Sequence, residues 1–269
     1  MYKGLALHTW TLDTTPLDQV LRIARDTGWD AIELRRLDFR RAAEKGQPAD
    51  HVLEMVRENG LPVACVGVEL GWMFADGSER QRLLAAFDES CRWAAALECQ
   101  IVMSPVDRGR GEAARAAASI REVGDIAAAY HVRLALEYNS QCEQYNTQER
   151  VLDVLGRAGH PHCGLLLDTY HFQRSAGELS ALDSLAPEKI VYIQFSDVPR
   201  HGLEPGKALD RLPPGQGCVP FREIFARGPV RQYSGYLSYE APNPAAWARD
   251  PAAVSREAIA ATRAALANA

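Results

Sequence analysis

Short apolar runs alternate with longer segments of helical period from one end of the chain to the other. The runs read as strands over 4–8, 31–34, 63–68, 101–104, 134–137, 164–168, 191–195 and 236–240. Most carry leucine, isoleucine or valine on consecutive positions, as strands do when helices cover both faces of a parallel sheet. Eight strand–helix units predict an α/β fold, a single (β/α)8 TIM barrel domain over residues 1–269. That length suits one such barrel and does not call for a second domain.

Helix ends punctuate the pattern. Thr15-Pro16 reads as the start of the first helix, with the hydroxyl as cap and proline in the first turn, and Gly28 as its stop. Gly60 closes the second, Ser78 with Gln81 gives a capping box for the third, and Asp250-Pro251 opens the alanine-rich last one. The units match in size and not in sequence, which speaks for a barrel over a solenoid of repeats.

Four polar residues stand at the ends of the last four strands. Glu137 ends LALE, Asp168 ends GLLLD, Gln194 ends IVYIQ and Glu240 ends YLSYE. In a closed parallel barrel these ends converge on one face, so residues far apart in sequence meet. Three carboxylates gathered there repel one another and call for a cation. Carboxylate and amide oxygens are hard donors, which predicts one divalent ion, Mn²⁺ or Mg²⁺, on Glu137, Asp168, Gln194 and Glu240. For any one of them the plainer reading is a helix cap or half of an ion pair.

Other residues fall near the same face. Glu33 closes the second strand in AIELRRLD, where it could orient a neighbouring group, contact substrate, or pair with Arg35. His171, three residues past Asp168, could pass a proton or only support Asp168. Arg211, before PPGQG, could clamp a substrate oxygen or form a surface salt bridge. Arg35 and Arg36 are further candidates for binding a carboxylate. Trp10 and Trp72 could wall a sugar ring or serve as packing. The longest irregular stretch, 197–220, is rich in proline and glycine, follows the seventh strand, and reads as a wall or lid of the site.

Bulk properties narrow the partners. Hydrophobic residues make up 47% and charged residues 24% of 269, the balance of a soluble globular protein. The net charge of −5 comes without a basic block, which argues against nucleic acid. No apolar run approaches the length of a membrane span, and the N-terminus MYKGLALHTW has no leader pattern. The six cysteines lack C-x-x-C spacing and read as reduced. A cytoplasmic location is the expectation.

The runs CGLLLDTYHF at 163–172, IVYIQFSD at 190–197 and DRLPPGQG at 210–217 resemble the xylose-isomerase-like sugar isomerase/epimerase superfamily. With AIELR at 31–35 and LALE at 134–137, the likeness leans toward inosose (2-keto-myo-inositol) isomerase-like proteins. The resemblance implies a TIM barrel with one divalent metal on the positions Glu137, Asp168, Gln194 and Glu240. Most of that group carry histidine at the Gln194 position. It further implies Glu137 and Glu240 as a proton-transfer pair; His171 is the expected helper, and Arg211, Glu33, Arg35 and Trp72 are the expected substrate contacts at the barrel mouth. A homodimer is also implied. The expected activity is isomerisation or epimerisation of a keto-sugar or keto-polyol through an enediolate. Two alternatives remain open at this point. The first is a 3-dehydroshikimate dehydratase-type lyase, because IQFSDVP is similar to the glutamine-bearing segment of those enzymes. The second is a barrel that binds a sugar or polyol without turning it over.

Overall fold

Eight short strands, each followed by one or more helices, close on themselves in chain order in the computed structural model, which describes residues 2–201 and 208–267. They are β1 (Gly4–His8), β2 (Ala31–Leu34), β3 (Val63–Gly67), β4 (Ile101–Pro105), β5 (Arg133–Glu137), β6 (Cys163–Asp168), β7 (Ile190–Phe195) and β8 (Tyr236–Tyr239). All neighbours pair in parallel, and β8 returns to β1 with Leu5 opposite Leu237. Glu240 falls just past β8, but its N–H still reaches the Phe195 carbonyl at 3.1 Å. The ladder therefore aims it as if it were a strand residue.

Two apolar layers hold the barrel. The larger lies between strands and helices, with Leu7, Ile32, Val66, Leu134, Leu165 and Ile193 among its fully buried side chains. The smaller fills the lumen, where Ala6, Ala31, Ala64 and Ala135 leave room for Met103, Leu166 and Tyr192. Mixing small and large side chains packs a narrow barrel without voids. None of the six cysteines is in a disulfide, and five are buried. Among the described residues no helix is long and apolar enough to cross a membrane.

Helix ends follow the expected logic with shifts. Gly28 ends Leu17–Thr27 in the left-handed region at φ 91°, and Asp250 caps Pro251–Ala267 through the Ala253 N–H at 2.9 Å. Thr15 is not the first cap: its N–H turns back to Leu12, and the Pro16 carbonyl starts the helix. Ser78 lies inside the first turn of Gly77–Ala96, because the chain enters at Asp76, whose carboxylate pairs with Arg115. Gly60 closes a third helix, Ala49–Asn59, since Arg36–Ala43 forms one of its own.

Gly164 on β6 marks the tightest strand contact. A Cβ there would meet the Val191 side chain and, at 2.8 Å, the Lys189 carbonyl oxygen, which is backbone and cannot yield. Gly164→Ala is expected to cost about 1–3 kcal/mol, read by calorimetry as a Tm several degrees lower.

Candidate active site

Strand ends set the geometry. Asp168 and Gln194 are register partners on β6 and β7, Glu137 closes β5, and Glu240 follows β8; all four are buried. The chain turns from β6 directly into the helix Thr169–Arg174. Asp168 Oδ1 caps that helix, accepting from the Tyr170 N–H at 2.6 Å, and Oδ2 remains to face the site. The tight turn lifts His171 over the same point. Ligand atoms of Glu137, Asp168 and His171 all lie within 4.8 Å of one another.

Arg211 fills the centre. It is 2% exposed, and its Nη1 lies 2.8 Å from Asp168 Oδ2 and 2.8 Å from Glu240 Oε2. Nη2 reaches His171 Nε2 at 3.2 Å, and the guanidinium carbon stands 4.3 Å over the Tyr170 ring. An exposed salt bridge is thus not what Arg211 forms. Its loop is tied down by Asp197, buried at the end of the β7 segment. That carboxylate accepts from the N–H groups of Val198, Gly215, Gly217 and Val219 at 2.8–2.9 Å. The Asp197 and Leu212 backbones also bond to each other. A Cβ at Gly217 would strike the Val198 carbonyl, so the turn needs glycine. Part of the 197–220 stretch, including Gly202, Pro205 and Gly206, lies outside the described residues.

An inner network lies beneath. Glu33 accepts from Gln194 Nε2 at 2.8 Å and from the Tyr192 hydroxyl at 3.1 Å. His8, the last residue of β1, places Nε2 3.3 Å from Glu240 Oε1 and 3.6 Å from Glu33 Oε1. The Trp10 N–H donates to His8 Nδ1 at 3.0 Å, which leaves the ring proton on Nε2, between the two carboxylates. His8 was missed by sequence reasoning. Its signal was available, since it ends a strand as Glu137 does.

Charge explains the titration. Burial pushes Glu137 well above the ordinary carboxyl range, with Glu240 and then Asp168 adding to it. Glu240 rises to about 7 by burial, against the pull of Arg211, and Glu33 to about 8 by burial and Glu240. Asp168 is the exception. Burial would raise it too, but the Arg211 guanidinium, helped by the Tyr170 N–H, holds it below its usual value. Burial lowers His171 to about 3 and His8 well below its usual range, so both rings are neutral.

The donor set fits a divalent cation. Glu137 Oε1 and Gln194 Oε1 are buried without a hydrogen-bond partner. Glu240 Oε2 meets Arg211 as an ion pair that lacks hydrogen-bond alignment. Glu137, Asp168 and Glu240, when ionised, exceed Arg211 by two negative charges, which one divalent ion balances. Bare, buried oxygens of this kind are what hard cations take up.

The remaining candidates are occupied elsewhere. Arg35 is committed to Asp13 at 2.6 Å, Asp38 at 3.1 Å and the Thr9 hydroxyl at 3.1 Å, so neither the Glu33–Arg35 pair nor a free fork is present. Arg36 bonds Glu89 at 2.6 Å and stacks on Trp93 among the outer helices. Trp72, expected as a wall for a substrate ring, is fully buried instead. It donates to the Ser104 hydroxyl at 2.9 Å and packs edge-on against Phe87. Trp10 is half-buried and accepts from Trp247 Nε1 through its carbonyl.

Comparisons with known proteins bear on this arrangement. The family described as "Xylose isomerase-like TIM barrel" matches residues 21–265. An inosose isomerase of Halalkalibacterium halodurans is 24% identical over 242 residues, spanning 87% of this chain and 86% of the relative. A 3-dehydroshikimate dehydratase of Pseudomonas aeruginosa is 30% identical over 138 residues, 49% of this chain but 21% of that protein. Among solved structures, the IOLI protein with a binding zinc atom superposes with a TM-score of 0.88 at 19% identity over 98% of both chains.

The raised carboxyls carry a pH signature. With Glu33 near 8 and Glu240 near 7 against an ordinary 4.5, the folded, cation-free protein keeps protons that the unfolded chain has released. Below 6.5 the neutral buried histidines work in the opposite direction, because the unfolded chain protonates them. Above pH 6.5 that opposition fades, and the carboxyl effect prevails toward pH 8. Stability of metal-stripped protein is therefore expected to fall as pH rises through that window, by at most about 1.4 kcal/mol per pH unit for each carboxyl still protonated. Saturating Mn²⁺ should flatten the slope in calorimetric scans.

Proposed function

This chain belongs to the xylose isomerase-like TIM barrel family, and from that premise we propose that it is a divalent-metal-dependent isomerase or epimerase of a keto-sugar or keto-polyol of the inosose type. The observation that carries the reading is the buried meeting of Glu137, Asp168 and Glu240 about Arg211, beside partnerless oxygens of Glu137 and Gln194. Glu137, Asp168, Gln194 and Glu240 would hold one ion, Mn²⁺ or Mg²⁺ by the hardness of the donors. When bound, the ion supplies a Lewis acid that polarises the substrate carbonyl and stabilises negative charge on its oxygen.

The side chains do the proton work. Glu137 and Glu240 sit on strands three places apart in the ring, so they face a substrate from different sides. One takes the proton from the carbon beside the carbonyl, and the C–H pair becomes the C=C of an enediolate. The other, or the same group, returns a proton to a neighbouring carbon or to the opposite face, which moves the carbonyl or inverts the centre. Neutral His171 can hold a substrate hydroxyl, and Arg211 offers its remaining N–H groups to an adjacent oxygen.

The committed arginines favour an uncharged substrate. Arg35, Arg36 and Arg211, the candidates for binding a carboxylate, are already paired with acidic side chains. A polyhydroxy ketone needs no such counterion, whereas 3-dehydroshikimate does. The inosose isomerase of H. halodurans is matched along most of its length, which supports the same choice. A small sugar, polyol or cyclic ketone is the proposed partner, in a protein acting as a homodimer.

Incubation with Mn²⁺ and 2-keto-myo-inositol in deuterated water is expected to give isomerised product with deuterium at the exchanged carbon. Glu240→Gln should lower the rate by about 10²–10⁴-fold. Rapid conversion of 3-dehydroshikimate to an aromatic product, with no exchange into the inosose, would instead favour the lyase.

A further inference from the structure

Gln194 is an ambiguous donor for a cation, because its amide presents an oxygen in one orientation and an NH₂ in the other. Only the first can ligate a metal. The chain resolves the ambiguity from behind. Gln194 Nε2 donates to Glu33 Oε1 at 2.8 Å, and Gln194 Oε1 is left buried and without a partner. We propose that Glu33 is a positioning residue that locks the Gln194 amide with its oxygen toward the cation, an inference that rests on the metal-dependent reading above.

Three groups converge on the Glu33 carboxyl. Gln194 Nε2 and His8 Nε2 approach Oε1, and the Tyr192 hydroxyl meets Oε2 at 3.1 Å. His8 presents a proton there, since its Nδ1 accepts from the Trp10 N–H. The lock does not depend on whether Glu33 is ionised. A proton on Oε2 can point at the Tyr192 oxygen, which accepts as well as donates, while Oε1 still receives the amide. The inversion of Gln194 would set its NH₂ against the Asp168 side of the site and its carbonyl against Glu33, an acceptor facing an acceptor. All three residues are fully buried, so water cannot relieve that mismatch.

The test measures Mn²⁺ affinity directly, from the EPR signal of free Mn²⁺ in titrations of the protein. Glu33→Met removes the acceptor and is expected to weaken Mn²⁺ binding about 10–100-fold. Glu33→Gln keeps a carbonyl oxygen where Oε1 stands and turns an NH₂ toward Tyr192, so its affinity should stay within about threefold of wild type. In a Gln194→Leu background, Glu33→Met should have no further effect, which separates positioning from a loss of nearby charge. Melting curves of each variant report folding. Wild-type affinity in Glu33→Met, or an equal loss with and without Gln194, overturns the positioning role alone. Failure of the wild-type protein to bind Mn²⁺ overturns the metal-dependent reading and this inference with it.

Discussion

Like charge buried at one point is the constraint around which this barrel is arranged. Parallel strands deliver Glu137, Asp168 and Glu240 to the same end of the lumen, where water cannot screen them. Two devices make that tolerable. Arg211 neutralises part of the charge from the centre, and the carboxyls that it does not neutralise take up protons when no cation is present. Asp168 escapes protonation because it adds two helix N–H groups to the guanidinium that it shares with Glu240. The electrostatics of the site thus favour added positive charge.

Arg211 can play that part only because the loop carrying it is fastened. A salt bridge at a barrel mouth is ordinarily worth little when its residues are exposed, but here the arginine is buried and its backbone is held. Asp197 gathers four backbone N–H groups, the Asn243 side chain holds the Arg211 carbonyl at 3.0 Å, and Tyr170 supports the guanidinium face. The same loop is thereby coupled to β7 and to the segment after β8, two of the four elements that supply the carboxylates and amide. A second tier, Glu33 with Tyr192 and His8, fixes the floor of the site as the loop fixes its roof.

Much of this was legible before any coordinates. Strand positions came within a residue or two of those observed, because β-branched and leucine-rich runs bounded by glycine and helical periods leave few readings. The four polar strand ends stood out because a closed ring of parallel strands must bring them together. Helix starts were less legible at Thr15 and Ser78, where the chain's approach decided the cap: a backbone turn to Leu12 in one case, an Asp76–Arg115 pair in the other. The family likeness rested on motifs around Asp168, Gln194 and Arg211, the same residues that the fold assembles.

What one-dimensional reading could not decide was which way each side chain pays out its polar atoms. Trp72 has the composition of a sugar platform, yet its ring fills the core and its N–H goes to Ser104. Arg35 lies two residues past Glu33 and yet turns away from it, since β2 ends at Leu34 and Arg35 caps the helix Arg36–Ala43, where Asp13 and Asp38 hold its guanidinium. His8 enters the site through the register of β1 between β2 and β8, the one a near neighbour in the chain and the other more than two hundred positions away. The sequence by itself determined the periodicities, and with them the barrel and the convergence of its strand ends. Tertiary structure alone decided the pairings, because a hydrogen bond or an ion pair depends on distances of a few ångström between groups that the chain brings together only on closing.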